Sequence, residues 1–199
     1  IKILCSNKYF ILITLAFAII YTSLGLTGGS RIYYAKYVLG NEMINSTMTL
    51  FNYIPTILTI MLIPIFAKKF GKIKALFVGF LFYGAGLILE IAGPVNLPMI
   101  YGGLVLQGIG HAALYSCLFA IVGDVVDYSE WKDGIREEGL TYSVTSFGQK
   151  IGTGLGTAAL GWILAAGNYN ATAAVQPDSA IFAIKSLFLY LPLAITVVV

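Results

Sequence analysis

Charged residues are scarce in this 199-residue chain: Lys, Arg, Asp and Glu make up 11% of it, against 58% hydrophobic residues. A soluble domain usually carries about a quarter charged residues. At a mean hydropathy of +0.86, folding in water would leave too little polar surface to cover the core. Cysteine is limited to Cys5 and Cys117, with no CxxC spacing, which argues against a disulfide framework or a thiolate metal centre. Both read as small packing residues. The single histidine, His111, leaves no Ser/His/Asp arrangement to support. No GxxxxGK[ST] is present, and Gly152-x-Gly154-x-Gly156 lies inside an apolar run rather than after a strand, so no nucleotide loop is expected. Residues do not alternate as barrel strands require. No cofactor, no metal and no nucleic-acid partner is expected, and no enzyme activity.

What is present is a set of long uncharged runs. A bilayer crossing needs about 20 residues, and the sequence predicts six such helices, near 9–29, 47–67, 75–92, 97–123, 139–166 and 178–199. The expected fold class is therefore all-α, a six-helix transmembrane bundle spanning 1–199. Pro55, Pro64, Pro98 and Pro192 are compatible with membrane helices, where neighbours re-satisfy the backbone. Six helices with odd ones running outward accommodate two inverted three-helix halves, as in many secondary transporters. The chain has no initiator Met and stops inside an apolar run at Val199, so a piece of a longer protein is expected.

Lysines and arginines orient the bundle. With the first helix running outward, the inner segments hold Lys2, Lys8, Lys68, Lys69, Lys72, Lys74, Lys132 and Arg136, and the outer ones Arg31 and Lys36. Both ends are then cytoplasmic, in a multi-pass protein of the cell membrane. The stretch AKKFGKIK at 67–74 reads either as a positive-inside anchor or as a conformational latch.

Chemistry concentrates in one segment. Asp124 to Glu138 holds eight charged residues in fifteen positions and is expected to be a loop at the inner membrane surface, part of it helical with Asp124 and Asp127 on one face at i, i+3. Its acidic pairs, Asp124/Asp127 and Glu137/Glu138, lie beside Lys132 and Arg136, so ion pairing is the simplest account. Lys150 follows about ten residues into the fifth span, near the bilayer middle at about 1.5 Å per residue. An ionisable group at that depth marks a substrate or ion pathway by default.

At 100° per residue, Tyr142, Ser146, Gln149, Lys150, Thr153 and Thr157 share one sector of this helix, and Gly148, Gly152 and Gly156 another. The glycines suit close helix packing, leaving the polar stripe for water or ligand. The competing reading of the hydroxyls is bonding to carbonyls four residues back. On the fourth span Gln107, His111 and Tyr115 recur at i, i+4, i+8. His111 reads as a hydrogen-bonded structural residue or a proton relay, and Tyr115 as a sugar-stacking or a packing ring.

DVVDYSEWKDGIREEGLTYS followed by FGQKIGTGLG resembles the inner loop and eleventh helix of the glycoside–pentoside–hexuronide:cation symporters. These are the melibiose-permease-like branch of the major facilitator superfamily. The resemblance covers nearly the whole chain as helices seven to twelve, the C-terminal half of a twelve-helix transporter. It implies sugar:cation symport by alternating access, with an N-terminal six-helix half, a sugar or glycoside and the lipid bilayer as partners. It implies that Asp124, Asp127, Arg136 and Glu138 form a cytoplasmic gate against the other half. It matches Lys150 to the family's helix-eleven lysine and Thr145 and Ser146 to a polar pair near the sugar; the helical faces add Gln149 beside Lys150, and Tyr115 and His111 on the fourth span, as substrate-proximal residues. Tyr115 stands where melibiose permease has Trp. The coupling ion, Na⁺ or H⁺, is expected mainly in the absent half, since no acid is expected at mid-span here and Glu90 lies near the outer end of the third helix. Alternative readings are the same fold carrying a lysolipid or other amphipathic substrate, a polytopic membrane enzyme, or a non-transporting scaffold.

Overall fold

The computed structural model describes residues 8–134, 136, 138–173 and 175–199. Lys2, Cys5 and Glu137 lie outside the described residues. All elements among the described residues are helical: α1 (Lys8–Tyr37), α2 (Ile44–Ile60), α3 (Ile63–Phe70), α4 (Lys72–Ala92), α5 (Leu97–Asp133), α6 (Glu138–Ala166), α7 (Asp178–Lys185) and α8 (Leu191–Val198). A π-helical turn, Ser186–Tyr190, joins α7 to α8. It precedes Pro192, whose missing N–H and ring disturb the regular ladder of the preceding turn.

α2 and α3 together make one bent element. Pro64 cannot donate to the carbonyl of Ile60, so the ladder opens at Met61 and Leu62 and the axis turns by 52°. The basic stretch after it is hardly a connection at all. α3 ends at Phe70 and α4 starts at Lys72, with Gly71 at φ 92°, a conformation that side chains with a Cβ avoid.

Among the described residues, four helices are long and apolar enough to cross a membrane, and α2 with α3 makes a fifth when the bend is taken as a broken span. α6 is long enough, at 29 residues, but its polar stripe and glycines keep it out of that set. With α2–α3 and α7–α8 each taken as one element, six lengths run through the bundle in the expected order.

Two expectations need correction. α1 continues to Tyr37, so Arg31 belongs to the helix and is 8% exposed, not a residue of an outer connection. The charged stretch is mostly not a loop. α5 runs 37 residues, roughly 55 Å at 1.5 Å per residue, well beyond the ~30 Å hydrocarbon layer. Its last turns carry Asp124, Asp127 and Glu130 on helix, because charged side chains that reach water are ordinary helix formers. Termination comes only at Gly134, left-handed at φ 69°, four residues before α6.

α1 packs most closely on α6, and α5 on α4 and α2. The glycine row of α6 explains the first contact. A Cβ at Gly148 would sit 3.1 Å from the Thr14 carbonyl oxygen, and one at Gly152 or Gly156 would strike the carbonyls of Ala18 or Thr22. These oxygens lie at i, i+4, i+8 on α1, so the small residues set a backbone-to-backbone seam. α4 and α5 repeat the device, Gly79 against Gly110 and Gly86 against Gly103.

One apolar cluster, with Leu26, Tyr34, Leu104, Ile184 and Phe188, occupies one end of the bundle. A second, with Phe17, Leu114, Leu118 and Val122, occupies the other. Cys117 is buried with Ile63, Ala75 and Ala113. Leu50, Ile54, Leu58, Phe77 and Leu81 point outward and exposed, an apolar belt of the kind a lipid surface covers.

Candidate functional site

With one face of α6 locked on α1, the opposite face is open. Lys150, Ser146, Thr153 and Thr157 are exposed and Tyr142 and Gln149 half-buried. Tyr142, Ser143, Ser146, Phe147 and Lys150 line an open groove of about 450 Å³. The threonine hydroxyls of the stripe are partly spent. Thr153 donates to the Gln149 carbonyl at 2.9 Å and Thr157 to that of Thr153 at 2.8 Å, leaving each with acceptor capacity for an incoming hydroxyl. Lys150 supplies three donors and a full charge at the middle of this stripe.

Thr145 is not on this face. It is fully buried and donates to the carbonyls of Thr141 and Tyr142 at 3.1 and 3.0 Å, so the pair Thr145 and Ser146 is split between the packed and open sides of the helix. His111 and Gln107 are 6% and 3% exposed, inside the bundle. Tyr115 is half-buried, its ring centroid 5.8 Å from that of His111. His111 lines a separate, small and partly open pocket with Ser23, Tyr83 and Thr196. Lys150 and His111 are thus not brought together.

At the charged end, Arg136 is the hub. Its Nη1 donates to Asp127 at 2.9 Å and to Glu130 at 2.7 Å, and its Nε lies 3.4 Å from a Glu138 carboxylate oxygen. The bonds to Glu130 and Asp127 push the guanidinium pKa above its ordinary value, so it stays charged at any physiological pH. Asp124 belongs to a different pair. Lys72 Nζ reaches it at 2.6 Å and also the Ala120 carbonyl at 3.2 Å. The start of α4 is thereby tied to the extension of α5. Tyr9 at the start of α1 meets Tyr128 edge-on with centroids 4.9 Å apart, so three helix ends gather here. All of these ionic groups are about half exposed. Glu130 and Lys72 were not singled out in the sequence. Helical spacing offered the signal for Glu130, three residues beyond Asp127 and on the same face.

The interior holds a group the sequence did not assemble. Arg31, Tyr83, Glu90, Gln107, His111 and Ser23 are all under 9% exposed, Glu90 completely buried. They come from α1, α4 and α5. Gly103 makes room for the carboxylate stem: a Cβ there would lie 2.5 Å from Glu90 Cγ. No group of three or more His, Cys, Asp or Glu suited to a metal occurs among the described residues.

A family model described as MFS/sugar transport protein matches residues 1–199. The chain belongs to this family. Its likeness to individual members of this transporter class is consistent. It is 31% identical over 161 residues to the isoprimeverose transporter of Lactiplantibacillus pentosus, covering 80% of this chain and 31% of that protein. It is 30% identical over 165 residues to the glucuronide carrier protein homolog of Escherichia coli (strain K12), covering 82% and 36%. To the uncharacterized symporter YjmB of Bacillus subtilis (strain 168) it is 26% identical over 199 residues, covering 96% and 42%. The chain thus spans between 31% and 42% of the length of these relatives. The expected recognition as a sugar-symporter-type facilitator holds, and with it a multi-pass membrane fold. The relatives are named as transporters and carriers, not enzymes.

Proposed function

We propose that this chain is the C-terminal six-helix bundle, two inverted three-helix repeats, of a sugar:cation symporter working by alternating access. The open stripe of α6 forms one wall of a central cavity, with Lys150 bonding sugar hydroxyls or pairing with an acid of the N-terminal half. The two halves rock about that site, and bound sugar and Na⁺ or H⁺ shift the population between inward- and outward-open states. The extension of α5 with Asp124, Asp127, Arg136 and Glu138 is the cytoplasmic side of the gate, and both chain ends face the cytoplasm.

One observation carries this reading. Lys150 is exposed at the middle of a helix whose other face is sealed by glycines. A lysine at that depth facing lipid costs several kcal/mol, so the stripe faces an aqueous path or a second wall. The names isoprimeverose transporter and glucuronide carrier favour a sugar or glycoside over a lysolipid. In the full-length protein, Lys150→Ala should abolish cation-driven sugar accumulation while leaving membrane insertion normal. An alanine variant that accumulates sugar like the parent would remove the assignment.

A further inference from the structure

The basic stretch at 67–74 carries four lysines in eight residues, and Lys72 is paired with Asp124. No acid lies within 4 Å of Lys68, Lys69 or Lys74 among the described residues. Orienting a bundle takes only positive charge near a helix end; it does not take a cavity. Yet Lys68 and Lys72 line one, with Pro64, Ala67, Ser116 and Cys117, where α3, the start of α4 and α5 meet. Its volume is about 340 Å³, within the range of ligand sites. Cys117 is 1% exposed, so the pocket reaches into packed side chains. The Ser116 hydroxyl is half-buried and has no hydrogen-bond partner among the described residues. Lys72 Nζ spends two donors on Asp124 and the Ala120 carbonyl, and an ammonium has a third. The pocket therefore offers an anion the whole charge of Lys68, a spare donor of Lys72 and a hydroxyl.

The surroundings say which anion. Ile65 stands one helical turn before Lys68 and Lys69 and is 69% exposed. On α4, Ile73 and Phe77 are 67% and 64% exposed, also one turn apart. Side chains of this kind, left bare beside a cationic pocket, form a surface with an apolar part and a charged end. A dissolved phosphate would use the lysines alone. A phospholipid uses both parts, its phosphate on the lysines and its chains along the apolar rows. Basic clusters at the inner end of membrane helices attract anionic lipids, each lysine contributing about 1 kcal/mol.

We propose that the pocket of Lys68, Lys72 and Ser116 holds the phosphate of an anionic phospholipid of the inner leaflet. This goes beyond the transport reading and takes from it only the side of the membrane on which the pocket lies. Lys68 supplies the charge that nothing in the bundle neutralises, and Ser116 donates to a phosphate oxygen. Lys72 is shared between the lipid and Asp124, so the headgroup sits against the ion pair that ties α4 to the extension of α5. Lys69 is the contrast. It is adjacent in sequence and equally charged, but it does not line the pocket and lies over the Phe70 ring, 5.2 Å from its centroid.

The test titrates phosphatidylglycerol into the detergent-solubilised full-length protein and counts bound lipid by native mass spectrometry. The first lipid should bind several-fold more tightly than phosphatidylcholine with the same chains. Lys68→Gln should weaken it about fivefold, Lys68→Arg should restore it, and Lys69→Gln should leave it nearly unchanged. Both lysines are exposed, so the variants fold. Equal losses at Lys68 and Lys69 would reduce the effect to diffuse surface charge and overturn the site, as would the absence of any preference over phosphatidylcholine. Glycerol phosphate, the headgroup without chains, should not displace the lipid when added in large excess; displacement would make the occupant a dissolved anion and overturn the lipid assignment. The side of the membrane is read separately. Lys69→Cys in intact cells should react with an impermeant thiol reagent only after the cells are opened. Labelling from outside would overturn the inner-leaflet assignment together with the orientation of the transporter, whereas loss of the lipid preference alone would leave the transport reading standing.

Discussion

Two charge clusters in this molecule behave in opposite ways. At one end, Arg136 meets Asp127, Glu130 and Glu138, and Lys72 meets Asp124, every group about half exposed and paired. In the interior, Arg31 and Glu90 are buried, Glu90 faces Gln107 and Arg31, and no ion pair within 4 Å joins the two charges among the described residues. Water screens the first cluster and makes each pair nearly neutral in stability. Burial makes the second expensive unless another species completes it. A dense run of charge in sequence therefore ended in inexpensive surface pairs, while two residues far apart in sequence, on separate helices, built the costly site.

That contrast is broken most severely at Arg31. Arg31→Ala leaves Glu90 buried without a counter-charge, and a loss of about 3–5 kcal/mol is expected for such a removal. A melting curve of the detergent-solubilised protein measures it, and a variant as stable as the parent would show that the two groups are already independently solvated. Next comes Gly103→Ala, whose new Cβ meets Glu90 Cγ and, at 2.7 Å, the Gly86 carbonyl. Overpacking there should cost about 1–3 kcal/mol. Restoration by Glu90→Ala in the same chain would show that the acid is the obstructed group.

The surface cluster should respond in access rather than stability. Arg136→Ala is expected to leave the melting temperature close to that of the parent and to raise labelling of cysteines placed at the inner side, as the gate loosens toward inward-open. Unchanged labelling would reduce the α5 extension to a tether. Lys72→Ala should have the smallest effect, a modest rise in the same labelling near Asp124 with no change in folding, since Asp124 stays solvated.

Much of this was legible in composition and periodicity. The apolar runs gave an all-α bundle, and the GxxxGxxxG row gave a close seam, because both depend on local spacing alone. The partner of that seam, the carbonyls of Thr14, Ala18 and Thr22, depended on which helix lay opposite. The helix ends were misjudged where charge was taken as a stop signal: Arg31 and Asp124 both continue helices, since helix formation tolerates charge, and those helices end only at Tyr37 and at Gly134. Thr145 was separated from Ser146 by one position, which is 100° on a helix. Glu90 does lie two residues from the end of α4, as read, but its complete burial arises from the contact of α4 with Gly103 on α5, a tertiary fact. The Ser23/Thr27/Arg31 row was visible in principle at i, i+4, i+8, hidden only by ending the first helix too early.

The central claim, that the open face of α6 lines the aqueous substrate path, is tested most directly at Ser146, in the groove beside Lys150. In the full-length transporter, Ser146→Cys should react with a water-soluble thiol reagent, and a transported sugar should slow that reaction in proportion to its occupancy. A cysteine there that is silent to the water-soluble reagent but reacts with a lipid-soluble one would place the face against lipid and contradict the account.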